Sequence, residues 1–446
     1  MFTALLALQV LAAAPNADPF AFFQPSVVLS ADDRRQLDRG EPIARVLPGK
    51  DHEVAVFAAV PVDIDGDRLV TWMRRIEELK KSSYVLAIGR FSDPPRIEDL
   101  AGLALDDEDV SEVRTCRPGS CALKLSASEM TQLRDAAAAA ERDWKPAVQR
   151  AFRRAVLERV RMYLATGHIA AYEDQKRHVW PSTRFALLLD HSVFLTDHLP
   201  RFTEHLRGYP LTAAPDVESF VYWSKERLAR KAIIGATHVS IVRSHDAGLP
   251  DALVAGKEIF ATHYLNASLG LTAITRGESG AHTYLAYVNR SEVDMLGGMF
   301  GGLVRWFMQR RLKTEAADVL RGLRRRLEGG EPQAMETRGA PSPSPPRSEG
   351  LRGRAHTSGS RRDRAAGASL SSVIRNSEWR AMPAEASRAA PPASRSITHS
   401  ASDTSPPRER KAIADSINWP PEVTTSSTRT RFLPEMSPPS ASRHVP

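Results

Sequence analysis

Val54-Ala-Val-Phe-Ala-Ala-Val-Pro-Val62 is nine residues without a charge, and Asp67 to Lys80 follows it after a four-residue gap. An apolar run of this length, bounded by polar turn residues, predicts a buried strand. In the segment behind it, Leu69, Val70, Trp72, Met73, Ile76 and Leu79 recur at helical spacing. Arg74, Arg75, Glu77 and Glu78 fall on the opposite side, so an amphipathic helix is predicted. Tyr84 to Phe91 is a second strand, broken by Asp93-Pro-Pro. Asp63-Ile-Asp65-Gly-Asp67 between strand and helix resembles the opening of a calcium loop. The sixth and twelfth positions, which need Gly and Glu, are Arg68 and Arg74, so a turn with Asp67 as helix N-cap is expected instead.

Residues 126–208 read as a helical block. Ser126-Ala-Ser-Glu129 has the form of a capping box. The helix behind it is expected to reach about Asp143 and to stop or kink before Pro146. A second helix runs to about Leu164. Val148, Phe152, Val156, Val160 and Tyr163 share one side, and Arg150, Arg153, Arg154, Arg159 and Arg161 form a second side read as solvated. Thr183 to Leu206 is a third helical stretch, interrupted at Pro200. His191, His198 and His205 are spaced by seven within it. Each step is about 10 Å along a helix, too far for one metal ion, so they are read as surface or satisfied histidines.

The period then changes. Ser219–Ser224, Ala232–Arg243, Lys257–Ile274 and Thr283–Asn289 are rich in β-branched and aromatic residues, which predicts an antiparallel meander. A last helix is expected from about Met299 to Leu327. Gly277-Glu-Ser279-Gly lacks a full nucleophile elbow, and Gly297-Gly-Met-Phe-Gly-Gly302 lacks the Lys and Ser/Thr of a phosphate loop.

The order Val54–Val62 into Asp67–Lys80, and Thr283–Asn289 through the Gly-Gly segment into Leu303–Leu327, resembles the START and polyketide-cyclase-like helix-grip superfamily. The resemblance implies an α+β fold, with an antiparallel sheet wrapped on a long C-terminal helix and enclosing an apolar ligand cavity. The block at 126–208 would be an insertion. Carriage of a lipid-like ligand is implied more often than catalysis.

Composition sets the outer limits. The chain has 446 residues and a net charge of +8. Residues 329–446 hold 16 of the 31 prolines and 17 Lys+Arg against 11 Asp+Glu. That segment shows no apolar periodicity and is expected to be a disordered tail. One lysine among its 17 basic residues suggests codon bias, and part of the tail is read as a read-through or frameshift product. Residues 1–328 are nearly neutral, which argues against a nucleic-acid surface. A single domain is expected over residues 25–328. Leu5 to Ala14 has the length of a signal-peptide core, with cleavage at Ala17, so residues 1–17 predict export to the periplasm or cell envelope. Cys116-Arg-Pro-Gly-Ser-Cys121 carries both cysteines around a Pro-Gly turn, which predicts a disulfide.

Candidate ligand-binding residues come from strand alternation: His238 and Ser240 in one strand, His263 and Tyr264 in the next stretch, and Tyr287 in the last. No cofactor or metal is expected. The leading expectation is an exported binding protein for a lipid or other hydrophobic ligand, without a nucleic-acid partner. One alternative is an envelope enzyme using His238 and His263 as acid and base. Another is a membrane-surface protein contacting headgroups through Phe300, Trp306 and Phe307.

Overall fold

In a computed structural model, which describes residues 18–227, 231–277, 282–297 and 316–329, the apolar strands join into one sheet. The elements are, in chain order, α1 (Ala31–Asp38), β1 (Ile43–Leu47), β2 (Glu53–Val62), α2 (Gly66–Arg74), α3 (Ile76–Leu79) and β3 (Val85–Arg90). Then come α4 (Asp107–Glu112), α5 (Ala127–Ala139), α6 (Trp144–Thr166), α7 (Pro181–Asp190), α8 (Val193–His198) and α9 (Pro200–Gly208). The meander follows: β4 (Glu218–Arg227), β5 (Ala232–Arg243), β6 (Ala252–Ala261), β7 (Leu265–Arg276) and β8 (Thr283–Val293). Residues 316–328 are helical.

The fold class is therefore α+β. The eight strands are antiparallel in the order β1-β2-β8-β7-β6-β5-β4-β3. Long apolar strands such as β2 are buried along nearly their whole length because both faces of the sheet are covered. On one face, Ala55, Phe57 and Ala59 of β2 and Leu269, Leu271 and Ala273 of β7 pack against Phe20, Phe22 and Phe23 and the helices α7–α9. Farther along this face, Val221, Trp223 and Ala236 pack against Val148, Phe152 and Val160 of α6. On the other face, Val56, Ala58 and Val60 meet α2, α3 and Ala316, Leu320 and Leu327 of the C-terminal helical residues.

Several local expectations change. The N-cap of α2 is Asp65, whose carboxylate accepts from the Arg68 amide at 2.8 Å; Asp67 is already inside the helix. Residues 67–80 form two helices because Arg75 leaves helical geometry between them. The 257–274 stretch is not one strand. It bends back at residues 262–264, where Tyr264 adopts a φ of +63°. A turn built on tyrosine rather than glycine gives no compositional warning. β1, with Arg45 at its centre, is too short and too mixed in composition to be marked as a strand by its sequence. The arginine face of α6 is not simply solvated: Arg159 is buried and forms two 2.5 Å bonds to Glu129. Ser126 and Glu129 make the expected capping box. The disulfide Cys116–Cys121 is formed, across a Cα separation of 4.4 Å.

Residues 1–17, where a signal segment is expected, the residues from 330 on, and Phe300, Trp306 and Phe307 lie outside the described residues. Among the described residues no helix is long and apolar enough to cross a membrane.

The revised cap is testable. Asp65→Ala is expected to cost about 1 kcal/mol of unfolding free energy, and Asp67→Ala less than about 0.5 kcal/mol, in urea unfolding followed by circular dichroism.

Candidate functional site

Alternation along the strands decides which side chains meet. Across the middle of the sheet one row runs Asn289, Gly270, Gly256, Val239, with each residue paired to the next. All four lie on the face that α2 and α3 cover. Two of them are glycines directly opposite one another, so the centre of that face has no side chains. A third glycine, Gly235, sits farther along β5. A Cβ there would come within 2.6 Å of the Glu258 Oε1 atom, so its absence makes room for that carboxyl group.

The result is a cavity of about 120 Å³. Its roof is Met73, Ile76 and Leu79 from α2 and α3, with Leu323 from the C-terminal helical residues. Its floor and walls carry Tyr222, Thr237, Glu258, Ser268, Tyr287 and Asn289, and Lys80 enters from the end of α3.

Charge is buried here. The Lys80 amine donates to Glu226 at 2.5 Å and to the Tyr222 hydroxyl at 3.0 Å. Burial by itself lowers the amine's pKa, but Glu226 and Tyr222 more than offset this and hold it above the ordinary lysine value. Ser224 donates to the same Glu226 oxygen at 2.7 Å. Glu258 has no such cation in contact. The Thr237 hydroxyl donates to its Oε2 at 3.4 Å and the Ala236 backbone also bears on the carboxyl, while Oε1 has no hydrogen-bond partner among the described residues. Burial pushes the Glu258 carboxyl up to about 8; Glu226 adds to the rise, while Lys80 opposes it. At neutral pH Glu258 therefore keeps its proton, and the cavity holds one ion pair and one carboxylic acid. Burial also raises the Tyr287 phenol, which stays a hydroxyl. Ser268, Asn289 and Ser291 form a hydrogen-bonded set beside it, with Asn289 Nδ2 donating to Ser268 at 3.3 Å.

The five ligand-binding residues expected from sequence do not assemble into one site. Tyr287 lines this cavity. His238 and Ser240 are on the opposite face of the sheet, under the helical block. There His238 Nδ1 meets the Tyr163 hydroxyl at 2.8 Å, and Ser240 Oγ meets His205 Nε2 at 3.1 Å. Burial lowers the His238 imidazole to about 3, with Lys257 and His205 adding to the effect, so it remains neutral. His263 and Tyr264 are in the β6–β7 turn. His263 bonds to Asp109 at 3.0 Å and to the Ala122 carbonyl at 3.1 Å, which ties that turn to α4. His238 and His263 thus share no partner. His205, expected to be a surface or satisfied histidine, is buried and bonded to Ser240, Ser219 and the Ala214 amide.

Lys80, Glu226 and Glu258 were missed. A usable signal existed for Glu258: Gly256-Lys257-Glu258 places a glycine and two charges inside an otherwise apolar strand. Lys80 looked like the exposed end of an amphipathic helix, and its partner lies 146 residues away.

Among the described residues no group of acidic, histidine or cysteine side chains is arranged to hold a metal ion. The chain matches no family model, no curated protein and no solved structure.

Glu258 generates a pH prediction. A carboxyl whose pKa is about 8 folded and near 4.5 unfolded favours the fold below the lower value. That contribution is lost as pH rises through the folded value. Glu258→Gln is therefore expected to be more stable than the native chain at about pH 8.5, by on the order of a few kcal/mol, and to lose that advantage near pH 4.5. Urea unfolding of both proteins across this range measures the difference; an advantage independent of pH would show that Glu258 does not titrate in this window.

Proposed function

We propose that the protein is an exported binding protein that takes a small, neutral, amphipathic molecule into the cavity between the sheet and α2–α3, on a helix-grip-like frame. The observation that carries the reading is the Gly256–Gly270 pair beneath a cavity that also holds the unpartnered Oε1 of Glu258. Packed interiors seldom leave a gap at the centre of a sheet, or a polar atom without a partner.

Size narrows the ligand. An apolar cavity of about 150 Å³ accommodates one benzene ring. The 120 Å³ here suits a single ring or a short branched chain, not an entire lipid. Electrostatics narrows it further. Lys80 is already neutralised by Glu226, and protonated Glu258 can donate one hydrogen bond and accept another. A neutral ligand with an oxygen at one end and an apolar body at the other meets both requirements. The apolar body would lie between Met73 and Ile76 on the helices and Val254 on the sheet, and the oxygen would face Glu258 and Tyr287.

Two further observations support parts of this reading. Strand, two helices and strand, then five meandering strands and a helix, with β2 beside β8, is a connectivity compatible with the helix-grip superfamily. The helical block enters between β3 and β4. The Cys116–Cys121 bridge suits an oxidising compartment and hence export.

The experiment is ligand-observed NMR with neutral ring-bearing fragments such as cyclohexanone and phenol. Gly270→Leu is the informative variant. A Cβ at this position makes only ordinary contacts, 3.8 Å from the Tyr287 hydroxyl, so the backbone tolerates it while the leucine fills the hollow. Fragment binding is expected to weaken at least about tenfold in Gly270→Leu. Unchanged binding would place the ligand elsewhere.

A further inference from the structure

A second hollow lies on the opposite face of the sheet. It is a groove of about 650 Å³, bounded by Arg90 and Phe91 after β3, Leu164 near the end of α6, Tyr209 after α9, and Ser219 and Val221 of β4. His238 of β5 also lines it. Its volume is in the range of small-molecule sites, roughly 300–1,000 Å³.

The imidazole of His238 is 1% exposed, and its Nε2 has no hydrogen-bond partner among the described residues. Its proton can be placed by counting bonds. Tyr163 is a phenol throughout the neutral range because burial raises its pKa. If that hydroxyl donates to Nδ1, only the Nε2 proton lacks a partner. If Nδ1 donates instead, both the Tyr163 proton and the Nε2 lone pair go unmet. The first arrangement is cheaper, so Nε2 carries the proton and requires an acceptor. The Tyr209 ring, 4.3 Å from the imidazole, forms an apolar wall beside it.

Charge supplies the second observation. Lys257 is buried beneath this cluster. Its amine donates to the Leu206 carbonyl at 3.0 Å and lies over the rings of Tyr163 and Phe185. Burial lowers it to about 8, and no acidic group contributes. Its charge acts on both His238 and His205. The rim holds both signs. Asp93 and Asp99 are acidic and Arg90 is basic, and Asp99 stays ionised among the Ser92 hydroxyl and amide and the Arg96 amide. Behind His238, away from that rim, the buried Lys257 supplies a positive charge to which no carboxylate contributes.

We propose that this groove binds a small carboxylate with an apolar body. One carboxylate oxygen accepts the His238 Nε2 proton, and the anion balances Lys257. The apolar body packs against Phe91, Leu164 and Tyr209. The site is independent of the cavity under α2–α3, and so is its test.

The full chain, labelled with ¹⁵N-histidine, is titrated with sodium benzoate to about 10 mM, which reveals dissociation constants into the millimolar range. A saturable shift of the His238 Nε2 resonance is expected. His238→Phe and Lys257→Met are each expected to weaken benzoate binding at least about tenfold, the scale of one hydrogen bond to a charged group. Benzamide should bind more weakly than benzoate, and Gly270→Leu should leave benzoate binding unchanged. If His238→Phe does not fold, the native resonance still decides the matter. No shift by about 10 mM benzoate, equal affinity for benzamide, or full affinity in Lys257→Met would each overturn the proposal.

Discussion

Gly256 and Gly270 face each other across β6 and β7 at the middle of a sheet that is covered on both sides. Such a sheet must fill two interiors at once. On the helical-block side it does so with Leu, Ala and aromatic side chains, and much of that face is dry packing. On the other side the glycines withdraw volume where neighbouring strands supply tyrosine, threonine and asparagine. α2 and α3 cannot close the gap, because they rest on the larger side chains around it. The cavity follows from this missing volume, while Gly235 makes the room for Glu258 and burial raises that carboxyl's proton affinity.

The same constraint separates two of the buried lysines. Lys80 and Lys257 are both enclosed, but Lys80 meets a carboxylate and a phenol at hydrogen-bonding distance, whereas Lys257 has one backbone carbonyl and two aromatic faces. A paired buried charge is a fixed structural element. An uncompensated one raises the energy of the folded chain until an anion reaches its field. The two faces therefore offer different environments: a hollow with one acid proton on one side, and a groove with a neutral imidazole backed by a buried lysine on the other.

Much of the frame was legible in the sequence. β2, β5 and β8 carry enough β-branched and apolar residues to be read directly, and α5 announces itself through Ser126 and Glu129. The 262–264 bend was not legible, because its positive-φ residue is a tyrosine. β1 is too short and too polar to stand out. The site was harder. Strand alternation puts Tyr287 and Asn289 on one face, but it cannot say whether the face bearing His238 in β5 is the same one. That depends on register, which pairing across the four strands β8, β7, β6 and β5 fixes. The Lys80–Glu226 pair joins residues far apart in the chain and has no local signature. The strand glycines were the one local clue to the hollow, and only their cross-strand pairing gives them that meaning.

The most direct measurement is a high-resolution crystal structure of the full chain, read at the space above the Cα atoms of Gly256 and Gly270. The account predicts an open hollow there, bounded by Glu258 and Tyr287 and containing density that belongs to no protein side chain. It would be contradicted if Met73 and Leu323 had collapsed onto the two glycines, leaving no space between the sheet and its covering helices.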